Sequence, residues 1–263
     1  MSRVDVGGFA LHTRVDGPDR APWIVLSNSL GSNLSMWDDQ IDLLTRKYRV
    51  LRYDHRGHGQ SDVPEGPYTW EGLTADVVAL MDALGIEQAD YMGLSMGLMT
   101  GMGLGIHHGD RFGNLVLCDG RADAPPAFQE MWDTRIATIE AGGIEAIADA
   151  TLGMWLNPDW RAANPERTAQ IRAMVVATPI EGYLACCRCI KTLDYLREAG
   201  KIANRTLCIT GSDDMGAAPE VVKGIAAAIP GAAYVEIAGS HHIANIDGRD
   251  AFNTAIADFL EIG

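Results

Sequence analysis

The stretch that most constrains the fold is Gly93-Leu94-Ser95-Met96-Gly97, which has an apolar lead-in before it and a run of helix-forming residues after it. A serine between two such glycines, placed between a strand and a helix, is typical of a strained turn that lifts the hydroxyl clear of a sheet. Glycine is favoured at both flanking positions because a Cβ there would crowd the crossing backbone. A glycine-rich turn into a helix would look the same, so the motif indicates a nucleophile only if an acid and then a histidine follow it.

Length and composition limit the classes of protein to consider. The chain has 263 residues, of which 47% are hydrophobic, so one large α/β domain or a domain with an insertion is expected. A net charge of −14 disfavours nucleic acid and anionic membranes as partners. No apolar run is long enough for a membrane span, and the charged start at Met1-Ser2-Arg3 lacks the apolar core of a signal peptide. Five irregularly spaced cysteines argue for a reducing compartment. We therefore expect a cytoplasmic protein that binds a small molecule. The composition leaves open whether the protein forms a homo-oligomer.

Strand and helix patterns alternate along most of the chain. Eight strands are indicated, the fifth being the lead-in to Gly93, and the other seven lie at residues 4–6, 11–15, 22–26, 48–53, 115–118, 205–210 and 233–237. Helical spacing of apolar residues separates them, at 37–45, 70–84, 96–108, 219–228 and 251–260. This order predicts an α/β fold with a mostly parallel eight-stranded sheet and helices on both faces.

The strand patterns stop between Arg121 and Lys201. Four helices are predicted there, at residues 127–141, 144–156, 165–177 and 179–199, and Thr178 with Glu181 has the spacing of a capping box. A helical block inserted at the strand ends is expected to form a lid that excludes water from the site below. The predicted division is a core of residues 1–121 and 202–263 with a helical cap of residues 122–201.

Candidate acids and bases follow the last two predicted strands. Asp213 and Asp214 come after the strand at 205–210, and His241 and His242 come after the strand at 233–237. Ends of parallel strands meet at one edge of the sheet, so these residues and Ser95 are expected to lie together. A serine nucleophile needs an adjacent base, and the base needs an acid to hold its tautomer. Spacing from the strand end favours Asp214, and the run His-Ile-Ala-Asn-Ile favours His242, with their neighbours as alternatives.

Two further sets of residues complete the candidate site. An oxyanion hole needs two backbone N–H groups, which we assign to Met96, directly after the serine, and to Leu30, in the small-residue loop after the third strand. Candidates for the lining of a substrate pocket are the lid residues Trp132, Trp155, Arg135 and Arg188. Core packing or a solvated charge is the alternative role for each of them. The cysteines around Arg188 have no second cluster to complete a metal site, so no metal and no cofactor are expected.

These motifs together resemble the α/β-hydrolases, and within them the 3-oxoadipate enol-lactonase group. The stretches that carry the resemblance are Leu26-Ser27-Asn28-Ser29-Leu30-Gly31, Met36-Trp37, Leu51-Arg52-Tyr53-Asp54-His55-Arg56-Gly57-His58-Gly59, Gly93-Leu94-Ser95-Met96-Gly97 and His242-Ile243-Ala244-Asn245-Ile246. The resemblance implies a triad of Ser95, Asp214 and His242, with Leu30 and Met96 as oxyanion donors. Two departures leave the substrate open: Leu98 where a second glycine is usual, and Asp247-Gly248-Arg249 in place of Glu-x-Pro.

The resemblance implies hydrolysis of the enol-lactone of 3-oxoadipate through an acyl-enzyme. That substrate carries a carboxylate, so a cation is expected in the lid, and the candidates are Arg121, Arg135, Arg188 and Lys191. Alternatives on the same fold are a general carboxylesterase, a carbon–carbon bond hydrolase and a non-catalytic ligand receptor. A haloalkane dehalogenase is disfavoured, because it needs a carboxylate nucleophile where Ser95 stands.

Overall fold

The computed structural model describes all residues 1–263. The strands are β1 Ser2–Asp5, β2 Ala10–Asp16, β3 Trp23–Ser27, β4 Arg49–Tyr53, β5 Ala89–Leu94, β6 Phe112–Cys118, β7 Thr206–Gly211 and β8 Ala233–Ile237. The α-helices are α1 Ile41–Leu44, α2 Trp70–Ala83, α3 Met96–His107, α4 Pro126–Gly142, α5 Glu145–Trp155, α6 Pro158–Ala163, α7 Pro165–Val176, α8 Ile180–Ile190, α9 Pro219–Ala228, α10 Ala244–Asp247 and α11 Arg249–Leu260. Three 3-10 helices span Leu34–Gln40, Gly109–Arg111 and Leu196–Lys201.

The strands form one eight-stranded sheet in the order β1-β2-β4-β3-β5-β6-β7-β8. Strand β2 runs antiparallel to both of its neighbours, β1 and β4, and every other neighbouring pair is parallel. The predicted mostly parallel eight-stranded sheet is therefore confirmed. Parallel strands that end at one edge bring the loops after β3, β5, β7 and β8 to the same side of the molecule.

Burial on both faces of the sheet explains the apolar strand sequences. Along β3, Val25 packs into one buried hydrophobic cluster, whereas its neighbours Ile24 and Leu26 pack into a second cluster. The same alternation holds along β6, because successive strand residues point to opposite faces. Helices must therefore cover both faces, as the continuous apolar runs indicate.

The segment between β6 and β7 is helical, but its helices differ from those predicted. It contains α4 to α8, five helices rather than four, because Asn157 caps an additional short helix, α6, by accepting hydrogen bonds from Asp159 N and Trp160 N. The helix predicted over residues 179–199 ends at Ile190, and the 3-10 helix Leu196–Lys201 follows after a break. No capping box forms at Thr178, because its hydroxyl donates to the carbonyl of Met174 in the preceding turn.

The helix predicted over residues 37–45 begins earlier and is mostly a 3-10 helix. Asn33 caps it by accepting from Ser35 N at 2.9 Å, and Leu34 N donates to the buried Asp54 carboxylate at 2.7 Å. These two bonds fix the start of the helix at Leu34, ahead of the apolar pattern that suggested residue 37.

No single helix of the chain is long and apolar enough to cross a membrane, although the sharply bent pair α7 and α8 passes on length and composition.

Helix α8 is docked against the core by contact between two backbones. A Cβ placed on Gly182 would lie 2.2 Å from the carbonyl oxygen of Gly57, and a Cβ on Gly57 would lie 2.5 Å from the Cα of Gly182. Gly57 also has a φ of +73°, a conformation that favours glycine. No side chain fits between these two segments, so the first turn of α8 is fixed against the loop that follows β4.

Candidate active site

Ser95 lies in the strained turn that its flanking glycines predict. Its φ is +59° and its ψ −110°, and its N–H donates to the carbonyl of Cys118 at the end of β6, at 2.8 Å. A Cβ on Gly93 would lie 2.2 Å from Gly97 O, and a Cβ on Gly97 would lie 2.2 Å from Ser27 O. The turn can therefore form only with glycine on both sides, which is the physical reason for the motif.

A continuous line of hydrogen bonds joins Ser95, His242 and Asp214. His242 Nε2 lies 2.9 Å from Ser95 Oγ, and His242 Nδ1 lies 2.9 Å from Asp214 Oδ2. The side chain of Asp214 is fully buried, and that of His242 is 8% exposed. Asp214 and His242, rather than their neighbours Asp213 and His241, occupy these positions. This is the arrangement in which a histidine can take the proton of a serine hydroxyl.

The surroundings of Asp214 favour its ionised form. Burial raises the pKa of this carboxyl, but His242 and the N–H groups of Ala217 and Gly216 lower it more, so the net shift is downward from the ordinary value. Gly216 N and Ala217 N both donate to Asp214 Oδ1, at 2.7 and 3.0 Å. An ionised acid at this place holds the proton of His242 on Nδ1 and leaves Nε2 free to accept from Ser95.

The loop that carries His242 is hydrogen-bonded to the helical segment. The buried carboxylate of Asp247 accepts from His241 N and from Asn157 N, both at 2.9 Å. Ile243 N also donates to the carbonyl of Trp155 at 3.1 Å. In the sequence, Asp247 is only a departure from the family pattern. In the structure, it connects the segment between α5 and α6 to the loop of His242.

Two backbone N–H groups are available beside Ser95. Neither the N–H of Leu30 nor that of Met96 donates to a backbone acceptor within the chain. Met96 is the first residue of α3, where N–H groups have no partner in the preceding turn. The side-chain amide of Asn28 donates to Tyr53 O at 2.7 Å and so holds the loop of Leu30 against β4. Both groups predicted for the oxyanion hole are thus free to donate hydrogen bonds to a developing negative charge.

Above Ser95 lies a cavity of about 280 Å³ between the core and the helical segment. Ser95, His242 and Leu30 contribute to it from the core, and most of its other lining residues come from α4 and α5. Its walls are mainly apolar, as is usual for a pocket that takes a small organic molecule. A larger cavity of about 500 Å³ lies beside Asp247 and Ser240 and does not reach Ser95.

Three of the four predicted pocket residues line this cavity: Trp132, Trp155 and Arg135. The indole N–H of Trp132 is buried without a hydrogen-bond partner. Arg188 lies elsewhere: its side chain is 57% exposed and donates to Glu140 at 2.8 Å. Helical geometry explains this, because one position along α8 turns a side chain by about 100° from its buried neighbour Cys187.

The structure separates the four candidate cations for a substrate carboxylate. Lys191 pairs with Asp133, and Arg188 pairs with Glu140. Arg121 lines the cavity, but it pairs with Asp123 at 3.2 Å. Arg135 lines the cavity and forms no ion pair; it donates from Nε to Tyr183 Oη at 2.8 Å and from Nη2 to Thr151 Oγ1 at 2.6 Å.

Sequence reasoning missed Tyr183, which also lines the cavity and is 1% exposed. The one hint in the sequence is the glycine before it, which the close approach of two backbones requires. That hint cannot be used without knowing which loop α8 approaches. Burial raises the pKa of Tyr183 despite the opposing effect of Arg135, so the hydroxyl stays protonated at neutral pH.

The fold and this site define a hydrolase of the α/β type, and comparison with known proteins agrees. A sequence model of the α/β-hydrolase fold family matches residues 22–249, and the chain belongs to this family. Among solved structures, the enol-lactonase from Burkholderia xenovorans LB400 superposes with a TM-score of 0.95 at 44% sequence identity, covering 99% of this chain and 100% of that one.

The relatives of known name carry two different names. The 3-oxoadipate enol-lactonase 2 of Acinetobacter baylyi is 33% identical over 94% of this chain and 91% of its own. A protein of Caulobacter segnis provisionally named a carbamate hydrolase is 32% identical over 90% of this chain and 91% of its own. The resemblance to enol-lactonases is therefore confirmed at the level of the family, while the names of the relatives differ in their substrates.

Proposed function

We propose that this protein is a serine hydrolase that opens a lactone through an acyl-enzyme, with the enol-lactone of 3-oxoadipate as its substrate. The observation that carries the proposal is the hydrogen-bond line from Asp214 through His242 to Ser95 Oγ. This line ends at a cavity whose lining includes one cationic side chain without an acidic partner, that of Arg135. The names of the relatives support a lactone as the bond attacked.

In the acylation step, Ser95 Oγ attacks the lactone carbonyl while His242 Nε2 takes the hydroxyl proton. The carbonyl oxygen becomes negative and accepts hydrogen bonds from the N–H groups of Leu30 and Met96. One such donor typically contributes about 2.7–4 kcal/mol to lowering the barrier. Collapse of the tetrahedral intermediate breaks the ring C–O bond, and His242 returns its proton to the enolate oxygen that leaves.

In the deacylation step, the enol, which is still joined to the acyl group, moves aside and a water molecule takes its place beside His242. His242 takes a proton from this water as its oxygen attacks the acyl carbon, and the same two N–H groups hold the second oxyanion. Breakage of the bond to Ser95 Oγ then returns the proton to the serine. The released enol becomes the ketone by tautomerisation, and the product carries one additional carboxylate.

Arg135 is the group we assign to the carboxylate that the substrate already bears. It is the arginine of the cavity whose charge is not compensated by an aspartate or glutamate, and Trp132 adds an unpartnered indole N–H beside it. A half-buried guanidinium held by neutral partners is well suited to a planar carboxylate. Arg188, which donates to Glu140 on the exposed side of α8, takes no part in this recognition.

A carboxylesterase, a carbon–carbon bond hydrolase or a carbamate hydrolase would use the same catalytic residues. Turnover of the enol-lactone by the pure protein, compared with 4-nitrophenyl acetate and a simple carbamate, distinguishes a lactonase from an esterase and from a carbamate hydrolase. We expect the highest kcat/KM on the lactone and loss of turnover in Ser95→Ala. A higher kcat/KM on the neutral ester or the carbamate would contradict the assigned substrate. Absence of turnover on all three compounds would favour a ligand receptor.

A further inference from the structure

Tyr183 contacts both Arg135 and the loop that carries Leu30 through one rigid side chain. Its hydroxyl accepts a hydrogen bond from Arg135 Nε at 2.8 Å. The ring of Tyr183 packs against Gly31, since a Cβ placed on Gly31 would lie 2.8 Å from Tyr183 Cε2. Gly31 has a φ of +74° and directly follows Leu30, whose N–H is a proposed oxyanion donor. A single ring therefore spans from the proposed carboxylate site to the proposed oxyanion site.

Tyr183 fixes the plane of the Arg135 guanidinium together with Thr151. The Nε bond to Tyr183 and the Nη2 bond to Thr151 Oγ1, at 2.6 Å, use two of the five N–H groups. The guanidinium also lies 5.7 Å from the ring centres of Trp132 and Tyr183. Because the group is planar, two bonds to fixed partners set its orientation and leave the remaining N–H groups for a ligand.

The position of Tyr183 is itself fixed by the core. The residue before it, Gly182, is in backbone contact with Gly57, where no Cβ can be accommodated. The ring lies beside that of His58, with 6.5 Å between ring centres. A movement of the Tyr183 ring toward Arg135 would therefore also change its contact with Gly31.

We propose that Tyr183 is a specificity-determining positioning residue that couples occupancy of the Arg135 site to the geometry of the Leu30 N–H. This inference depends on the proposed function of the cavity. A carboxylate on Arg135 pulls on a side chain that is packed on the oxyanion loop, so part of the binding energy acts in the transition state and raises kcat. The predicted preference is for lactones that bear a carboxylate on the leaving side of the ring.

The test compares two lactones on four proteins. The substrates are the enol-lactone with a carboxymethyl group and its analogue with a methyl group, α-angelica lactone. The proteins are wild type, Tyr183→Phe, Arg135→Met and the double variant. Tyr195→Phe is the matched control, because Tyr195 is also buried and its hydroxyl has no partner. Phenylalanine keeps the ring that packs on Gly31 and removes the bond to Arg135.

We expect Tyr183→Phe to lower kcat for the carboxylated lactone about tenfold or more, the loss typical for a hydrogen bond to a charged group. The kcat for the methyl analogue should change by no more than about twofold, and Tyr195→Phe should change neither. In the Arg135→Met background, Tyr183→Phe should have little further effect on the carboxylated lactone, because the two residues act as one unit.

Three results would overturn the coupling. An equal loss on both lactones would mean that Tyr183 is only structural. A rise in KM with unchanged kcat would mean that Tyr183 supports binding alone. Equal turnover of the two lactones by wild type would contradict recognition of the carboxylate by Arg135, although the protein would still be a hydrolase. Failure of wild type to open either lactone would contradict the proposed function itself, and it is seen before any variant is compared.

Discussion

Asp119 is a fully buried carboxyl whose charge the fold opposes. It follows β6 with a φ of +47°, its Oδ1 accepts from Gly211 N at 2.8 Å, and its Oδ2 has no partner. Burial raises the pKa of Asp119 well above its ordinary value, and the nearby charge of Asp214 raises it further. Asp119→Asn replaces it by a neutral group that keeps the acceptor for Gly211 and tolerates positive φ.

The sign of the pH effect follows from the raised pKa. The folded protein keeps a proton on Asp119 that the unfolded chain releases above about pH 3.9. The stabilisation from this group is therefore complete below that pH and is lost as the pH rises toward the folded-state pKa. Within this window, wild type loses about 1.4 kcal/mol per pH unit relative to Asp119→Asn, a factor of ten in the unfolding equilibrium.

Urea unfolding of both proteins at about pH 5, 6 and 7 measures this difference. Titrating groups that do not interact with Asp119 are common to both proteins and cancel in the difference. Asp213→Asn, at an exposed aspartate next to Asp214, is the control for the loss of one negative charge. A flat difference between wild type and Asp119→Asn, or a gain of wild type with rising pH, would refute the reasoning.

Two other predictions concern how the helical segment is attached to the core. Gly182→Ala should destabilise the fold by about 1–3 kcal/mol, because its Cβ would lie 2.2 Å from a backbone oxygen of the core. Gly153→Ala, in α5 with nothing within 4 Å of the new Cβ, should instead stabilise by about 0.5–1 kcal/mol in the same thermal unfolding assay. Asp247→Ala removes the acceptor of Asn157 N and should lower the free energy of unfolding by about 1–3 kcal/mol per N–H left unsatisfied. The melting temperature and kcat should both fall, whereas Asp247→Asn should keep most of both. Equal effects of the alanine and asparagine variants would contradict the role of that acceptor.

The sheet and the serine turn could be predicted because local physics determines them. Residues 22–26 and 207–209 are apolar because both faces of their strands are buried. Ser95 could be predicted because its turn admits only glycine on each side. Asp214, rather than Asp213, contacts His242 in the structure, because the acid must follow its strand at a distance that lets it reach the histidine.

The helical segment and the cavity could be predicted only in part. The break after Ile190 and the additional helix α6 depend on contacts with other parts of the chain and on an asparagine cap. Arg135 and Arg188 both lie in helices that the sequence predicts, and the packing of α4 against α8 turns one into the cavity and the other toward Glu140. Tyr183 and Asp247 act through partners distant in sequence, which no local pattern identifies.

Activation of Ser95 by His242 underlies every catalytic step proposed above, and covalent labelling measures this activation directly. Intact-mass analysis and peptide mapping after treatment with a fluorophosphonate determine whether and where a serine is phosphonylated. We predict one label per chain on Ser95 in wild type, no label in Ser95→Ala, and labelling slowed by orders of magnitude in His242→Ala. A label on another residue, or an unchanged rate in His242→Ala, would contradict the assignment.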